Sequence, residues 1–542
     1  MARGMSRWLW VSALVFCAML ALARIGCDAA ADKIAPGRVM ARQAVERQAR
    51  WNTTDHSRHA ALQQSFASGD AITQACLSCH TEAEAQLHET LHWTWIDPLS
   101  PPDRIVGKAG HSLNNFCLST NFMTDRKCLD CHIGWNGKQG RVNCLRCHGR
   151  QPLDWAAAFE AYRKLSGSSE VADQARAAEV QQEIRAAVQQ VGLPTRAHCG
   201  ACHFYGGGGD GVKHGDLDSS MAHPDRQLDV HMGGDGQGFH CTRCHTTRQH
   251  HIAGRVYGTP AVTARRSLLE DDLTPKITCE ACHGATPHPA GSKTNDHTDK
   301  VACQSCHIPA FARRLPTKTG WDWSQAGRRR DGQPYTDPGP LGMPAYQSIK
   351  GEMTWTRDGI PAYFWFDGAI ETLTVKDVID PDTVVHVGWP VGRPEDPGAR
   401  IFPFKVHRGK QPYDTVHHTL LPPLLSGPQG FWTTLDWPEA LRIGAERMGI
   451  PYSGQFAFVE SRYVFPTTHM VAPKDRALRC EACHTRHDGR LARLGGFYMP
   501  GRDRWPWLDG AGWLLVLGAL ALSGVHGLGR IVARRRGKED RR

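Results

Sequence analysis

Apolar and polar positions change rhythm several times along the chain. An apolar run from Trp8 to Ala23 follows Arg3 and Arg7 and gives way to small residues. This is the layout of an export signal over residues 1–31, with cleavage after Ala23 or within Ala29–Ala31. From Leu153 to Val191, Ala, Gln, Glu and Arg occur at helix-favouring density, which predicts one long helix or a helical pair broken near Ser166-Gly167-Ser168-Ser169. Residues 308–465 are rich in Trp, Pro, Tyr and Gly. They predict a loop-rich flap without long helices, with short strands at 373–375 and 383–387. Trp513–Gly529 is almost uncharged and is followed by Arg530, Arg534, Arg535, Arg536 and Lys538. With its flanks this stretch reaches the roughly 17–25 residues a bilayer-crossing helix needs. The basic flank is a stop-transfer signal that places the C-terminal tail in the cytoplasm. His526 lies in the span, and an ionisable residue there is a functional candidate.

Cysteine placement alters the picture more than bulk composition does. Sixteen of the 19 cysteines fall in eight copies of C-x-x-C-H. These are Cys76, Cys79, His80; Cys128, Cys131, His132; Cys144, Cys147, His148; and Cys199, Cys202, His203. The others are Cys241, Cys244, His245; Cys279, Cys282, His283; Cys303, Cys306, His307; and Cys480, Cys483, His484. One copy could arise by chance or form half of a zinc site; eight intact copies point to covalent haem attachment. The two thiols add to the haem vinyl groups and the histidine reaches the iron. Eight haems bring roughly sixteen propionates, so the net charge of +10 is not a nucleic-acid-binding surface. The remaining cysteines are Cys17, Cys27 and Cys117, which excludes a disulfide framework. Arg24-Ile25-Gly26 before Cys27 is a poor match to a lipoprotein site.

Eight of the 29 histidines are used by the motifs, leaving 21 to serve as sixth ligands. The preferred set is His56, His92, His111, His214, His231, His251, His297 and His469, with His288 and His240 as alternatives. Iron bound by two histidines is closed to substrate and suits electron relay, whereas an enzyme needs an exchangeable position. A lysine amine in place of imidazole is one way to make such a site, provided that it is desolvated enough to be neutral. Lys213, in the glycine-rich run Gly206–His214, and Lys138, after the second motif, are the rivals. Lys213 and His214 are adjacent, so in extended chain they point to opposite sides and can serve different haems. The Cys117 thiol is either an inert buried group or a neighbour of a reactive iron.

Several stretches carry a family likeness: Asp55-His56-Ser57, NNFC at 114–117, CHFYGGGGDGVKHGD at 202–216 and DVHMG at 229–233. HTDKVACQSCHIPAFAR at 297–313 and THMVAP at 468–473 belong with them. Together they resemble the octahaem tetrathionate reductase family of periplasmic cytochromes, over about residues 50–490. The resemblance implies one lysine-ligated catalytic haem with a cysteine nearby, and a bis-histidine relay formed by the rest. It places the reactive haem at Cys128, Cys131 and His132, the cysteine at Cys117 and the lysine at Lys213, with Lys138 still open, and it puts iron binding by His132 in doubt.

The expected fold is mainly α with extensive coil, built around eight packed haems c, with a C-terminal transmembrane helix. The expected organisation is signal 1–31, a seven-haem domain 32–315, a haem-free loop-rich region 316–465 and an eighth-haem segment 466–495. A linker 496–510, the membrane helix 511–533 and a basic tail 534–542 follow. The expected function is a reductase tethered on the periplasmic side of the inner membrane. A quinol-oxidising membrane protein or small cytochrome supplies its electrons, and its substrate is a small anion or nitrogen oxide: tetrathionate, nitrite or hydroxylamine. The alternatives are a non-catalytic electron carrier and a hydroxylamine-oxidising enzyme.

Overall fold

The computed structural model describes residues 54–98, 100–113, 119–120, 129–138, 140–206, 208–254 and 278–539. The expected export signal, Cys117 and Cys128 lie outside these residues. The chain divides into two compact units, with the boundary between Ala477 and Leu478.

The N-terminal part of the first unit is helical. The stretch predicted from Leu153 to Val191 forms two helices, Trp155–Ser166 and Val171–Gln189. The first starts where the Asp154 carboxylate accepts the Ala157 amide at 3.0 Å, an N-cap worth about 1 kcal/mol. The second helix packs Ile184 and Val188 on Phe66, Ile72 and Leu145. Gln181 is buried and clamps the Phe66 backbone from both sides, accepting its N–H at 2.8 Å and donating to its carbonyl at 2.7 Å.

Twelve strands are described. β1 (Trp135–Lys138) follows the second motif, and β2 (Thr247–Arg248) pairs with β3 (His251–Ile252) as a small ribbon. The other nine form one mixed sheet: β4 (Thr317–Asp322), β5 (Thr336–Pro338), β6 (Pro344–Gln347), β7 (Gly351–Thr356), β8 (Ala362–Phe366), β9 (Ile370–Thr372), β10 (Val385–Pro390), β11 (Arg400–Asp414) and β12 (Phe456–Pro466). Their order is β5-β6-β7-β4-β11-β12-β10-β9, with β8 pairing the start of β11.

This sheet corrects the expectation of a mainly helical chain with extensive coil and a loop-rich region over 316–465. The longest strand, β11, disguises itself. Pro403, Gly409 and Pro412 interrupt it, and Lys405 and His407 stand at buried positions where apolar residues would signal a strand. Its partners are remote: β4 is parallel, β12 antiparallel along the whole length, and β8 antiparallel at its start. Proline and glycine weaken a local strand signal, and non-local pairing leaves no periodic trace.

One face of the sheet is closed by helix Trp437–Met448, capped by Asp436 at its start and by Gly449 at φ 64° at its end. Leu441 and Ala445 of that helix join Val387, Leu420 and Val459 in the core, while Trp323, Trp437 and Phe431 share a second cluster. The sheet is stapled to the seventh motif, where Ile401 of β11 exchanges backbone hydrogen bonds with Lys300 and Ala302 and its carbonyl accepts from Ser305 at 2.7 Å.

In the second unit, Arg502 donates to the Leu491, Leu494 and Phe497 carbonyls and pairs with Asp503. A single helix, Pro506–Glu539, follows, and its Pro506–Arg535 part is long and apolar enough to cross a membrane.

Replacing Gln181 by Leu leaves two buried backbone groups of Phe66 without their partner, at about 1–3 kcal/mol each. Gln181→Leu is therefore expected to lower the thermal midpoint of the first unit by several degrees, measured by far-ultraviolet circular dichroism.

Candidate functional site

The attachment motifs sit on short helical turns, Leu145–His148, Arg196–His203, Glu280–His283 and Cys303–His307 among them, which set the second cysteine and the histidine on neighbouring faces. Two imidazoles bound to one iron through bonds of about 2 Å place their ring centres roughly 6 Å apart. Five motif histidines have another histidine at that separation: His80–His56 at 6.4 Å, His203–His92 at 6.2 Å, His245–His469 at 6.3 Å, His283–His231 at 6.0 Å and His307–His288 at 6.0 Å. These pairs fit haem held between two histidines.

Nδ1 is tied down by a backbone carbonyl in three of the motif histidines, only one of which belongs to these pairs. Nδ1 of His148 bonds the Gly192 carbonyl at 2.9 Å, that of His245 the Ala253 carbonyl at 2.8 Å, and that of His484, in the second unit, the Pro500 carbonyl at 2.8 Å. Fixing Nδ1 in this way directs Nε2 to a metal. His250 lies close enough to His148 for their charges to oppose each other, and its Nδ1 contacts Gln86 Oε1 at 2.9 Å. His251 is exposed in β3; His297 is exposed with Nδ1 on the Lys293 carbonyl at 2.9 Å; His111 Nδ1 accepts the Ile105 amide at 3.3 Å. His214 is packed against Phe465 at 5.3 Å, and burial, then the Lys213 charge, pushes its pKa well down.

His132 breaks the pattern. It is 2 % exposed; its Nδ1 accepts the Gly134 amide at 3.1 Å and its Nε2 lies 2.9 Å from the Trp93 carbonyl oxygen. An Nδ1 that accepts must be unprotonated, so the neutral ring carries its proton on Nε2 and donates it to Trp93. The nitrogen that would serve a metal is here spent on a carbonyl.

Trp93 belongs to the turn Leu91–Thr94, which also supplies His92 opposite His203. Its neighbour Trp95 closes the turn at φ 53° and donates Nε1–H to the His92 carbonyl at 3.0 Å. Gly107 lets the next loop press in: at φ 132° a Cβ there would meet the Trp95 carbonyl oxygen at 2.3 Å. That loop carries Lys108, whose Nζ lies 5.2 Å from the Trp95 ring centre and whose charge acts on Cys131 and His203.

The sulfur atoms order the motifs. Cys76 contacts Cys144, Cys131 contacts Cys202, Cys199 contacts Cys241, and Cys279 contacts Cys303. Cys147 lies near Cys199, and Cys244 near Cys282. The first, third, fourth, fifth, sixth and seventh motifs thus run in one row, and the second touches that row at the fourth.

Lys213 Nζ lies 5.9 Å from the Phe465 ring centre, and its charge reaches both His203 and His214. Lys138 ends β1, six residues beyond His132. Two carboxylates outside the expected set stand behind histidines that face motif histidines. Buried Asp216 accepts the Thr468 amide at 2.7 Å and the His469 amide at 2.9 Å, and lies 3.2 Å from His469 Nδ1. Burial opposes the Asp216 charge, but His469 holds the carboxyl well below its usual range; burial also works against the His469 charge, and the carboxylate outweighs it and raises the His469 pKa. Asp229 binds the His231 amide at 2.8 Å and the Val471 amide at 3.1 Å. Both aspartates stand inside the stretches that carry the family likeness, VKHGD and DVHMG; Trp93, Lys108 and His250 have no such signal.

A family model described as cytochrome c bacterial matches residues 318–487. The crystal structure of octaheme cytochrome c from Shewanella oneidensis is 35% identical, with a TM-score of 0.68, over 83% of this chain and 98% of that one. No curated protein sequence matches the chain.

A carboxylate behind a ligating imidazole favours the oxidised, more positive iron and fixes the ring. Asp216→Asn is expected to raise the reduction potential of one haem while the others hold, as read by spectroelectrochemical titration. An unchanged set of potentials would detach Asp216 from His469's role.

Proposed function

The chain belongs to the octahaem cytochrome c family and carries covalently bound haem, and on that premise we propose that it is a multihaem reductase with its reactive centre at the second motif. The observation that carries this reading is His132, whose Nε2 is engaged by the Trp93 carbonyl. With that nitrogen occupied, the second motif needs a different protein ligand, and a lysine amine supplies one. When bound, the haems supply one-electron transfer and, at the second motif, an iron open to substrate.

Lys213 is the assigned ligand and Lys138 its rival. Lys213 is half-buried between buried Val212 and Asp216, and ligation requires its amine to be desolvated and neutral. Lys108 adds positive charge beside Cys131, which suits a small anionic substrate. The family resemblance implies a cysteine near the reactive centre, for which Cys117 is the candidate. Tetrathionate accepts two electrons as its central S–S bond breaks, giving two thiosulfates without proton uptake. Nitrite and hydroxylamine also need protons, which His214 and the neighbouring lysines can pass on.

The eight motifs each hold one haem. The sulfur contacts make the fourth motif the point where the row meets the reactive centre. The C-terminal helix tethers the protein on the periplasmic face of the inner membrane, within reach of a quinol-oxidising donor or small cytochrome, and the basic residues after it face the cytoplasm.

Reduced viologen with tetrathionate, nitrite or hydroxylamine tests the activity. Lys213→Ala is expected to lower turnover by about 100-fold or more and to change the magnetic signature of one haem. If Lys138→Ala does so and Lys213→Ala does not, the ligand is Lys138. Turnover absent in the wild type, with every haem bis-histidine, makes the protein an electron carrier. A chain truncated after Arg504 is expected to move from the membrane to the soluble fraction with its haems retained.

A further inference from the structure

Lys405 is a lysine where a sheet core would normally take an apolar side chain. It lies on β11 between Phe404 and Val406 and is 1 % exposed. Its Nζ donates to the Lys213 carbonyl at 2.8 Å, to the Val212 carbonyl at 3.0 Å and to Thr317 Oγ1 at 2.6 Å. Thr317, at the start of β4, passes its own hydroxyl proton to the Gly211 carbonyl at 2.7 Å. Burial pushes the Lys405 pKa well down and the Asp216 charge opposes that, but the amine has three acceptors and no donor among these partners, the complement of an ammonium with three N–H bonds.

The other end of the same loop is held independently. Asp216 fastens it to the turn after β12 through the Thr468 and His469 amides. Between the two clamps lie Lys213 and His214, whose side chains both approach one ring, Phe465 of β12. Gly211, at φ 64°, lets the chain turn into this clamp, with Asp218 only 3.1 Å from where a Cβ would stand. A buried cation contributes little net stability compared with a well-packed apolar residue, so its use here points to fixing one conformation.

We propose that Lys405 is the positioning residue of the reactive loop: its ammonium holds the Val212 and Lys213 carbonyls so that the Lys213 side chain is delivered to the second-motif site. The proposal rests on the reading of Lys213 given above. Lys405 touches neither substrate nor iron; it acts through the backbone of Lys213. The β-sheet is then part of the reactive centre, with β4 and β11 fixing one end of the loop and β12 supplying the ring beneath it.

The test uses the full-length holoprotein. Lys405→Met keeps the side-chain length without a donor, and Thr317→Val removes one acceptor with a smaller disturbance. Haem content is checked first, then each variant is examined by electron paramagnetic resonance and magnetic circular dichroism, and kcat and KM are measured with reduced viologen. Lys405→Met is expected to perturb the same haem signal as Lys213→Ala, leave the His245–His469 signal intact and lower kcat by about 10–100-fold, with less change in KM. Thr317→Val is expected to do the same to a smaller degree, and Lys405→Arg to restore part of the signal. If Lys405→Met fails to assemble, Thr317→Val decides. Variants that lose only thermal stability, with the Lys213-sensitive signal and kcat unchanged, overturn the proposal. If Lys213→Ala itself alters no haem, the ligand assignment fails instead, and a perturbation by Lys405→Met would then have to be traced to another group in the loop.

Discussion

The neighbourhood of the second motif depends on one hydrogen bond, from His132 Nε2 to the Trp93 carbonyl at 2.9 Å. A histidine after C-x-x-C is normally committed to iron; here a buried ring spends that nitrogen on the backbone. The carbonyl that takes it lies in a turn of four residues, Leu91–Thr94, whose His92 faces His203 of the fourth motif. One turn thus sets His92 opposite the fourth motif's histidine and offers its Trp93 carbonyl to the second motif's histidine. The Cys202 thiol, 3.8 Å from the Cys131 carbonyl, brings the two motifs together at the same place.

The sheet gives the loops of the site a rigid backing. β11 carries Lys405 under the Lys213 loop and joins the seventh motif through Ile401, and the chain leaving β12 supplies His469 to the fifth. Aspartates stand behind two of the paired histidines: Asp216 lies 3.2 Å from His469 Nδ1, and Asp229 accepts the His231 backbone amide. Each carboxylate pins two backbone amides, Thr468 and His469 for Asp216, His231 and Val471 for Asp229. Buried charge is costly unless it is satisfied in this way.

The sequence reveals the covalent chemistry directly, because thiol and histidine spacing is local. It also shows the two helices between Leu153 and Val191 and the apolar C-terminal helix, whose signals extend over whole turns. The sheet escapes such reading because β11 pairs with strands far away and hides its alternation behind Pro403, Gly409, Pro412 and two buried polar side chains, Lys405 and His407. Ligand pairing escapes for the same reason. His288 faces His307 and His250 lies near His148, whereas His251 and His297 are exposed, and nothing in the spacing separates one group from the other. The diversion of His132 is invisible in its own motif, which is intact; the acceptor that diverts it is a backbone carbonyl, and a carbonyl has no signature in side-chain sequence.

Near-infrared magnetic circular dichroism of the oxidised wild-type protein tests the central claim most directly, because ligand-to-iron charge-transfer bands report the axial ligands of each low-spin haem. With His132 bound to Trp93 and a lysine in its place, one haem falls outside the bis-histidine group while the relay haems remain within it. A spectrum in which every haem is bis-histidine would contradict the account and return His132 to the iron.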